Sequence, residues 1–322
     1  MSASPPSLGP RILVVGEQDA GRRLDAFLSE KLGLSRAGAR RLLARGAVRI
    51  GGRVSARKGD AVARGTRVEV AAFTPEAGLA PEAEPGLPLQ VLAHGPGWLV
   101  VDKPAGVPVH ALEPGEKGSL LSAVAARHPE IAGVGEGGLR SGVVHRLDVD
   151  TSGAVLFATE PATFERLRAA FTAHRVEKHY RVIVQGELEG AGSVECGLVV
   201  ARHRPARVRV VEADRARLER GVRRARLAWR ALEPLGRATL LEVRLETGFL
   251  HQIRATFAHA GHPVLGDVVY GQQGEGVAAP RQMLHASFLR VAEIAARSPD
   301  PQDFAAHLEM LRSAVRSQKP PC

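Results

Sequence analysis

Residues 143–153 read VVHRLDVDTSG, and the apolar run AVLFA follows at residues 154–158. An apolar pair leads into a charged cluster that ends at Thr-Ser-Gly, after which apolar residues resume. This pattern predicts a strand, a tight polar loop and a second strand. Asp148 in such a loop would lose part of its solvent, and Arg146 is a nearby cation that favours the ionised carboxylate. Judged alone, the stretch also fits an ordinary turn in which an aspartate caps backbone N–H groups.

The longer string from residue 145 to residue 153, HRLDxxTSG, resembles the active-site signature of the RluA-type RNA pseudouridine synthases. The resemblance covers residues 11–290. It implies conversion of uridine in RNA to pseudouridine, in which the base leaves its sugar at N1 and is rejoined through C5, with no cofactor and no metal. The further stretches that follow the family's order are DKPAGV at 102–107, KHY at 178–180, GFLHQIR at 248–254, the segment 261–271 and LHA at 284–286.

The same resemblance implies an α+β catalytic domain, whose mixed and largely antiparallel central sheet is flanked by helices. A small α/β RNA-binding domain precedes it, because GRRLD at 21–25, LSR at 34–36 and GAVRIGGRV at 46–54 resemble the S4-like module. Composition and periodicity divide the chain into five parts. They are a disordered tail at 1–10, the S4-like domain at 11–73, a Pro- and Glu-rich linker at 74–88, the catalytic domain at 89–295, and a C-terminal helix and tail at 296–322.

The resemblance, carried over residue by residue, assigns catalytic roles to three side chains. Asp148 is assigned as the catalytic aspartate and Arg254 as the cation that pairs with it. Tyr180 is assigned to pack under the uracil, where it is also a candidate base. Three routes stay open for Asp148: action at C1′ of the ribose, action at C6 of the base, or promotion of a glycal. Each route requires an ionised carboxylate in a pocket shielded from water.

The predicted RNA contacts are basic. Arg146 is assigned to fill the space left when the target nucleotide flips out, which costs on the order of a few kcal/mol in a helix. The second helix of the S4-like domain projects four arginines to one side with no acids at i±4, which favours phosphate contact over a solvated face. Residues 201–226, crowded with arginine, predict an exposed hairpin or a second RNA-facing surface. The residues assigned to RNA binding are Arg36, Arg40, Arg41, Arg45, Arg49, His145 and Arg146.

The composition indicates a globular protein with a polyanionic partner. The 322 residues carry a net charge of +10, with a pI of about 10.5, and most of the positive excess lies in the first 75 residues. Cys196 and Cys322 form neither a metal-binding spacing nor a disulfide framework. No apolar run reaches 18 residues and the start lacks a signal-peptide pattern, so we expect a cytoplasmic protein without a membrane span.

The expected partner is large-subunit ribosomal RNA or a pre-ribosomal particle, bound by a monomer, because relatives with the S4-like module mostly act on that RNA. Transfer RNA is the alternative substrate. Two positions depart from the family, since Phe249 stands where the family has Arg and Thr256 where it usually has His. We expect activity to be retained, with altered substrate contacts, because Asp148, Tyr180 and Arg254 are all present.

Three other interpretations remain. Phe249 favours a non-catalytic RNA-binding ribosome-assembly factor with the same fold. The sequence DVDT at 148–151 resembles the start of a phosphoaspartyl-transfer motif, although no later acidic pair is placed to hold Mg²⁺. His251, His259 and His262 are close enough in sequence to suggest zinc, although no cysteine or acidic ligand has the spacing to complete the site.

Overall fold

The structure is a computed structural model. The predicted tail and linker lie partly outside the residues it describes, at 1–7 and 74–79. Leu8, which follows the first of these segments, and Phe73, which precedes the second, pair as an isolated antiparallel bridge. The described residues are 8–34, 36–55, 57, 59–73, 80–203, 205–212, 219–271 and 277–318.

The first unit is a small α/β domain. Leu24, Phe27 and Leu28 recur at helical spacing and are fully buried, so one face of the first helix forms the core of this unit. Its four strands form an antiparallel sheet in which the first strand pairs with the fourth. The elements are β1 (Arg11–Val14), α1 (Leu24–Leu32), α2 (Arg36–Ala44), β2 (Val48–Ile50), β3 (Arg53–Val54) and β4 (Arg67–Val70).

The second unit is built on a ten-stranded sheet. Its elements are β5 (Gln90–Gly95), β6 (Trp98–Lys103), α3 (Leu120–Arg127), β7 (Ser152–Ala158), α4 (Pro161–Thr172), β8 (Glu177–Gln185), β9 (Ala191–His203), β10 (Ala206–Val211), β11 (Arg223–Pro234), β12 (Ala238–Leu245), α5 (Gln252–His259), β13 (Leu284–Val291), β14 (Ile294–Arg297) and α6 (Gln302–Gln318). The strand order is β10-β9-β11-β12-β8-β13-β7-β6-β5, with β14 beside β13. Among the described strands only β7 and β13 pair in parallel, so the predicted mixed, largely antiparallel fold is confirmed.

The parallel contact between β7 and β13 positions the loop that carries Asp148. β7 is buried along its whole length, and Ser152 and Gly153 pair with His285 and Ala286 of β13. Gly153 has φ +119°, and a Cβ built there would lie 2.3 Å from the Ala286 carbonyl oxygen. Because only glycine permits this approach of two backbones, the Thr-Ser-Gly sequence ends the loop where the two strands meet.

We expect Gly153→Ala to lower the free energy of unfolding by about 3 kcal/mol, because the new side chain is strained and overlaps the Ala286 backbone. Urea titration measures the difference. Gly190→Ala is the matched control, since Gly190 also has a positive φ but an added Cβ there meets nothing within 4 Å. It should lose about 1 kcal/mol. Equal losses in the two variants would contradict the role given to the close approach.

Two predicted elements have different bounds in the structure. Val143 and Val144 do not form a strand, because Val143 makes only an isolated bridge to Phe157. Both valines are buried, so core packing accounts for their apolar character. The spacing of Phe164, Leu167 and Phe171 predicts a helix over residues 161–176. In the structure this helix, α4, ends at Thr172, after which His174 takes φ +54° and turns the chain toward β8.

The C-terminal helix packs against the sheet of the second unit. The boundary predicted at residue 295 falls inside β14, which pairs with β13. α6 buries Phe304, Leu308 and Leu311 in one cluster with Ile183 of β8, so the hydrophobic core of the second unit continues beyond residue 295. Like the other helices in the described ranges, α6 is not long and apolar enough to cross a membrane.

The predicted linker and the arginine-rich segment both have defined contacts where the structure describes them. In the described part of the linker, the Glu84 N–H donates to the Ser122 carbonyl at 3.0 Å, so the chain follows α3 into β5. The arginine-rich segment 201–226, where it is described, contains the turn between β9 and β10 and the beginning of β11. Of the two structures predicted for this segment, an exposed hairpin or a second RNA-facing surface, the antiparallel pairing of β9 and β10 corresponds to the hairpin.

Candidate active site

A buried lysine holds the backbone of the loop at residues 145–151 from the protein interior. Lys103, at the end of β6, is completely buried. Its Nζ donates to the carbonyl oxygens of Pro104, Val107 and Val149 at 2.8, 2.6 and 2.7 Å. Burial lowers the pKa of Lys103 to about 7, while the charge of Asp150 acts in the opposite direction. Three carbonyls satisfy all three donors of an ammonium, so Lys103 fixes the backbone next to Asp148.

The other end of the loop is held by Arg281, which lies just before β13. Its Nη1 donates to the Asp150 carbonyl at 3.0 Å and its Nη2 to Ser152 Oγ at 3.1 Å. Asp303 of α6 accepts from Nε of the same guanidinium at 2.5 Å. Gln282 adds a contact from its Nε2 to Thr151 Oγ1 at 2.7 Å. The C-terminal helix therefore supports the loop through a single arginine.

Arg254, in the first turn of α5, joins two carboxylates. Its Nη1 donates to Asp148 Oδ2 at 2.8 Å, and its Nε and Nη2 donate to Asp267 at 2.6 and 2.8 Å. Burial disfavours the charged guanidinium, but the hydrogen bonds that Arg254 donates to Asp267 and both negative charges outweigh it and raise the pKa of Arg254. The arginine therefore presents one N–H to Asp148 in a fixed orientation.

The Asp267 side chain, which supports Arg254 from the interior, is completely buried. Burial alone would raise the pKa of Asp267, but the hydrogen bonds from Arg254 and from the N–H groups of Val269 and Tyr270 lower it. It therefore remains ionised and orients Arg254. Residue 267 lies in the segment that resembles the family, but no pattern in the sequence indicates this role separately.

Asp148 is partly exposed, at 21% of its side chain, and lies in a cleft. Its Oδ2 receives a hydrogen bond from Arg254, whereas Oδ1 has no donor among the described residues. The cation that contacts Asp148 is Arg254, whereas Arg146, which lies near it in the sequence, is exposed at the rim of the same cleft. The other residues that line the cleft are Leu147, Thr151, Tyr180, Leu245, Phe249, His251, Gln252, Ile253 and Leu284.

Tyr180, on β8, forms a wall of the cleft and is 8% exposed. Burial and then the charge of Asp148 raise the pKa of Tyr180, so the phenol stays protonated at neutral pH. The structure thus places the aromatic ring beside Asp148 and disfavours the phenolate that a base would require.

His145 is placed differently from the prediction that it contacts RNA. Its Nε2 accepts the Leu156 N–H at 3.0 Å, and its ring stacks on Phe171 with centroids 4.8 Å apart. Burial lowers the pKa of His145 to about 3, so the ring is neutral. His145 is not among the residues that line the cleft, and its contacts anchor the entry to β7.

The basic helix α2 is partly neutralised. Arg40 Nε donates to Asp25 Oδ2 at 2.9 Å, and Arg36 lies 4.0 Å from the same carboxylate. The hydrogen bond from Arg23, followed by that from Arg40, lowers the pKa of Asp25 to about 2 despite its burial. The expectation of an unneutralised helix face was wrong, because the acid comes from α1 and not from positions i±4 of α2.

The remaining predicted basic residues differ in their surroundings. Arg41 Nε lies 3.9 Å from Glu113 of the second unit. Arg45 and Arg49 are exposed on the S4-like domain. Among the predicted arginines of the S4-like domain, these two are exposed and form no ion pair with the described residues.

Phe249 fills the position where the family resemblance called for an arginine. It packs against a cluster that includes Cys196, Leu198 and Val208, and it also lines the cleft. Gln252 Oε1 accepts the Phe249 N–H at 3.1 Å and so holds this loop. The substitution therefore places an apolar ring where a guanidinium was expected, without displacing Asp148 or Arg254.

The zinc interpretation finds no support in the contacts of the histidines. His251 Nδ1 lies 3.0 Å from Tyr270 Oη, His262 Nδ1 lies 2.9 Å from the Gln185 carbonyl, and His259 is exposed. Within the described ranges no group of three or more His, Cys, Asp or Glu residues is placed to hold a metal ion.

Comparison with known proteins identifies both units. A family model described as RNA pseudouridylate synthase matches residues 97–259, and the S4 domain model matches residues 22–68. A protein of Chloroflexus aurantiacus named as an RNA pseudouridine synthase is 36% identical over 92% of this chain and 90% of its own. A ribosomal large subunit pseudouridine synthase D of Xanthomonas campestris pv. campestris is 33% identical over 98% of this chain and 95% of its own.

The solved structures agree on the fold. Human RNA pseudouridylate synthase domain containing 1 superposes with a TM-score of 0.55 at 24% identity, over 74% of this chain and all of that one. Sequence similarity over most of the chain, a matching family model and a shared fold thus coincide on the unit that contains Asp148. The chain belongs to the RNA pseudouridylate synthase family and carries an S4 domain before its catalytic domain.

Proposed function

We propose that the protein isomerises uridine to pseudouridine in large-subunit ribosomal RNA, with Asp148 as the catalytic carboxylate. The observation that carries this proposal is the 2.8 Å contact between Asp148 and Arg254 in the cleft. Relatives named ribosomal large subunit pseudouridine synthase D, 33% and 35% identical, support the choice of RNA. The protein is proposed to act as a monomer on this RNA or on a pre-ribosomal particle.

The reaction is an isomerisation whose atoms balance without a cofactor. The N1–C1′ bond breaks, the C5–C1′ bond forms, and the proton lost from C5 is matched by one gained at N1. Oδ2 of Asp148 is held by Arg254, so Oδ1 is the oxygen that faces the substrate. Action at C1′, action at C6 and promotion of a glycal all need a carboxylate oxygen that is free to approach the nucleotide.

The cleft walls suit a flipped nucleotide. Tyr180 provides an aromatic face beside Asp148, on which the uracil packs, and its protonated phenol is not assigned as the base. Arg146 at the rim is placed to fill the space that the nucleotide leaves in the RNA. The phosphate contacts of the S4 domain offset the cost of flipping.

RNA binding is expected to depend steeply on salt. If the arginines at 36, 40, 41, 45 and 49 contact phosphates, affinity should fall on the order of 10²-fold between 50 and 200 mM salt. In the variant with Arg45→Ala and Arg49→Ala, the slope of log Kd against log salt should decrease by about 1 per arginine. Arg166→Ala removes an arginine already paired with Glu293 and should leave the slope unchanged. A flat salt response of the wild type would contradict this role.

The substrate is tested by mapping pseudouridine with carbodiimide-induced stops of reverse transcription. Purified protein is incubated separately with large-subunit ribosomal RNA and with transfer RNA. Stops at discrete uridines of the ribosomal RNA alone are expected. Stops in transfer RNA alone would replace the proposed substrate, and binding without any stop would favour the non-catalytic assembly factor.

A further inference from the structure

His251 has an unusual backbone conformation at the edge of the cleft. It immediately precedes α5 and has φ +52° and ψ +24°, the left-handed region that non-glycine residues rarely adopt. Such strain persists only where the surroundings hold it, and it concentrates at functional sites. The side chain is 11% exposed and its Nε2 lies 3.9 Å from Asp148 Oδ2. The strained backbone thus turns the imidazole toward the carboxylate.

The hydrogen bonds of Tyr270 decide which ring nitrogen carries the proton. Tyr270 Oη accepts the Val208 N–H at 2.7 Å and lies 3.0 Å from His251 Nδ1. No other acceptor for the Tyr270 hydroxyl proton is recorded among the described residues, so the hydroxyl donates to Nδ1. Nε2 then carries the N–H of the neutral ring, and this N–H faces Asp148.

Burial keeps the His251 ring neutral against the pull of two nearby carboxylates. Burial lowers the pKa of His251, and Arg254 acts in the same direction, while Asp148 and Asp267 oppose them. Arg207 of β10 also lies 5.9 Å from the centre of the Tyr270 ring. The environment therefore favours a neutral donor and not an imidazolium that would compete with Arg254 for Asp148.

We infer that His251 is a positioning residue for Asp148, whose Nε2–H closes onto Oδ2 when RNA is bound. The present separation exceeds a hydrogen bond, and contacts of this kind commonly shorten in the substrate complex. Oδ2 would then be held by Arg254 and His251 together, so that Oδ1 is the only oxygen free to react. The inference rests on the proposed catalytic role of Asp148 and adds the residue that orients it.

Three substitutions separate this role from plain packing. Asn in His251→Asn reaches the position of Nδ1 and tolerates the left-handed backbone, but it provides no donor at Nε2. Gln in His251→Gln reaches farther and offers an amide N–H near Nε2. Tyr270→Phe keeps the ring, whose centre lies 5.3 Å from the Arg254 guanidinium, but removes the hydroxyl that sets the tautomer.

We expect His251→Asn to lower kcat by 10- to 100-fold at unchanged RNA affinity, and His251→Gln to recover most of the loss. Recovery by His251→Gln separates a donor role from packing, because glutamine restores an N–H near Nε2 but not the shape of the ring. Full activity of His251→Asn, or a loss confined to RNA affinity, would overturn the inference.

The tautomer is measured independently of activity by ¹⁵N NMR of histidine-labelled full-length protein. The wild type should show a protonated Nε2 and an unprotonated Nδ1 for His251, and Tyr270→Phe should show a mixture of tautomers. A protonated Nδ1 in the wild type would overturn the inference. Because this readout needs no substrate, it remains decisive if the protein fails to modify RNA, an outcome that would count against the proposed function itself.

Discussion

Asp148→Asn is expected to lower the rate of pseudouridine formation on the order of 10⁴-fold while RNA affinity stays within about twofold. The amide has the shape of the carboxylate, so the cleft and the contact to Arg254 through one oxygen are kept. It lacks the negative charge that action at C1′, at C6 or in forming a glycal requires. The loss should therefore appear in kcat and not in binding.

Single-turnover kinetics and filter binding measure the two quantities on the same RNA. Asp150→Asn is the matched control, because Asp150 lies in the same loop with an exposed side chain and its recorded contact to Arg281 is through its backbone carbonyl. Its activity should remain close to that of the wild type. Retention of more than about one per cent of the activity by Asp148→Asn would exclude Asp148 as the catalytic carboxylate.

Asp267→Asn is expected to reduce both stability and activity. The amide nitrogen of asparagine would face Arg254 Nε, donor against donor, and the buried guanidinium would lose its main counter-charge. Breaking one partner of a buried pair costs about 3–5 kcal/mol of unfolding free energy. Because Arg254 then turns away from Asp148, activity should fall even at temperatures where the variant is folded.

Urea unfolding and single-turnover rates at low temperature measure these effects. Glu242→Gln removes an exposed partner of Arg230 and should change neither quantity appreciably. The pKa of Asp267 is lowered in the folded protein, so its contribution to stability is present at neutral pH and is lost as the pH falls through the acidic range. Wild-type stability should therefore decline more steeply in acid than that of Asp267→Asn. Parallel acid profiles would contradict the ionised buried pair.

The residues that meet at Asp148 show what a sequence can reveal. Motif order assigned Arg254 and Tyr180 to the catalytic aspartate, and the structure brings all three to one cleft. The apolar-rich run 238–245 predicts a strand, and residues 48–54 with Gly51-Gly52 at their centre predict a hairpin; the structure has them as β12 and as β2 and β3. Such local patterns are visible because neighbouring residues share one element.

Contacts between elements were the part that the sequence did not reveal. Asp25 neutralises Arg40 from another helix, and Asp303 supports the loop at residues 145–151 through Arg281, which lies 22 residues before Asp303 in the chain. No periodicity within one element signals such pairs, since they depend on how elements pack. The strand predicted at Val143 and Val144 was wrong for a related reason. Buried positions favour apolar residues whether or not they lie in a strand, so the apolar pair alone does not identify one.

The most direct test of the proposed function is release of tritium from large-subunit ribosomal RNA labelled at C5 of uracil. Pseudouridine formation breaks the C5–H bond, so each modified uridine must release one label. We predict that the wild-type protein releases tritium in proportion to the stops mapped on the same RNA and that Asp148→Asn releases none above background. Wild-type protein that binds this RNA without releasing tritium, or equal release by the two proteins, would contradict the assignment of Asp148 as the catalytic residue of a uridine isomerase.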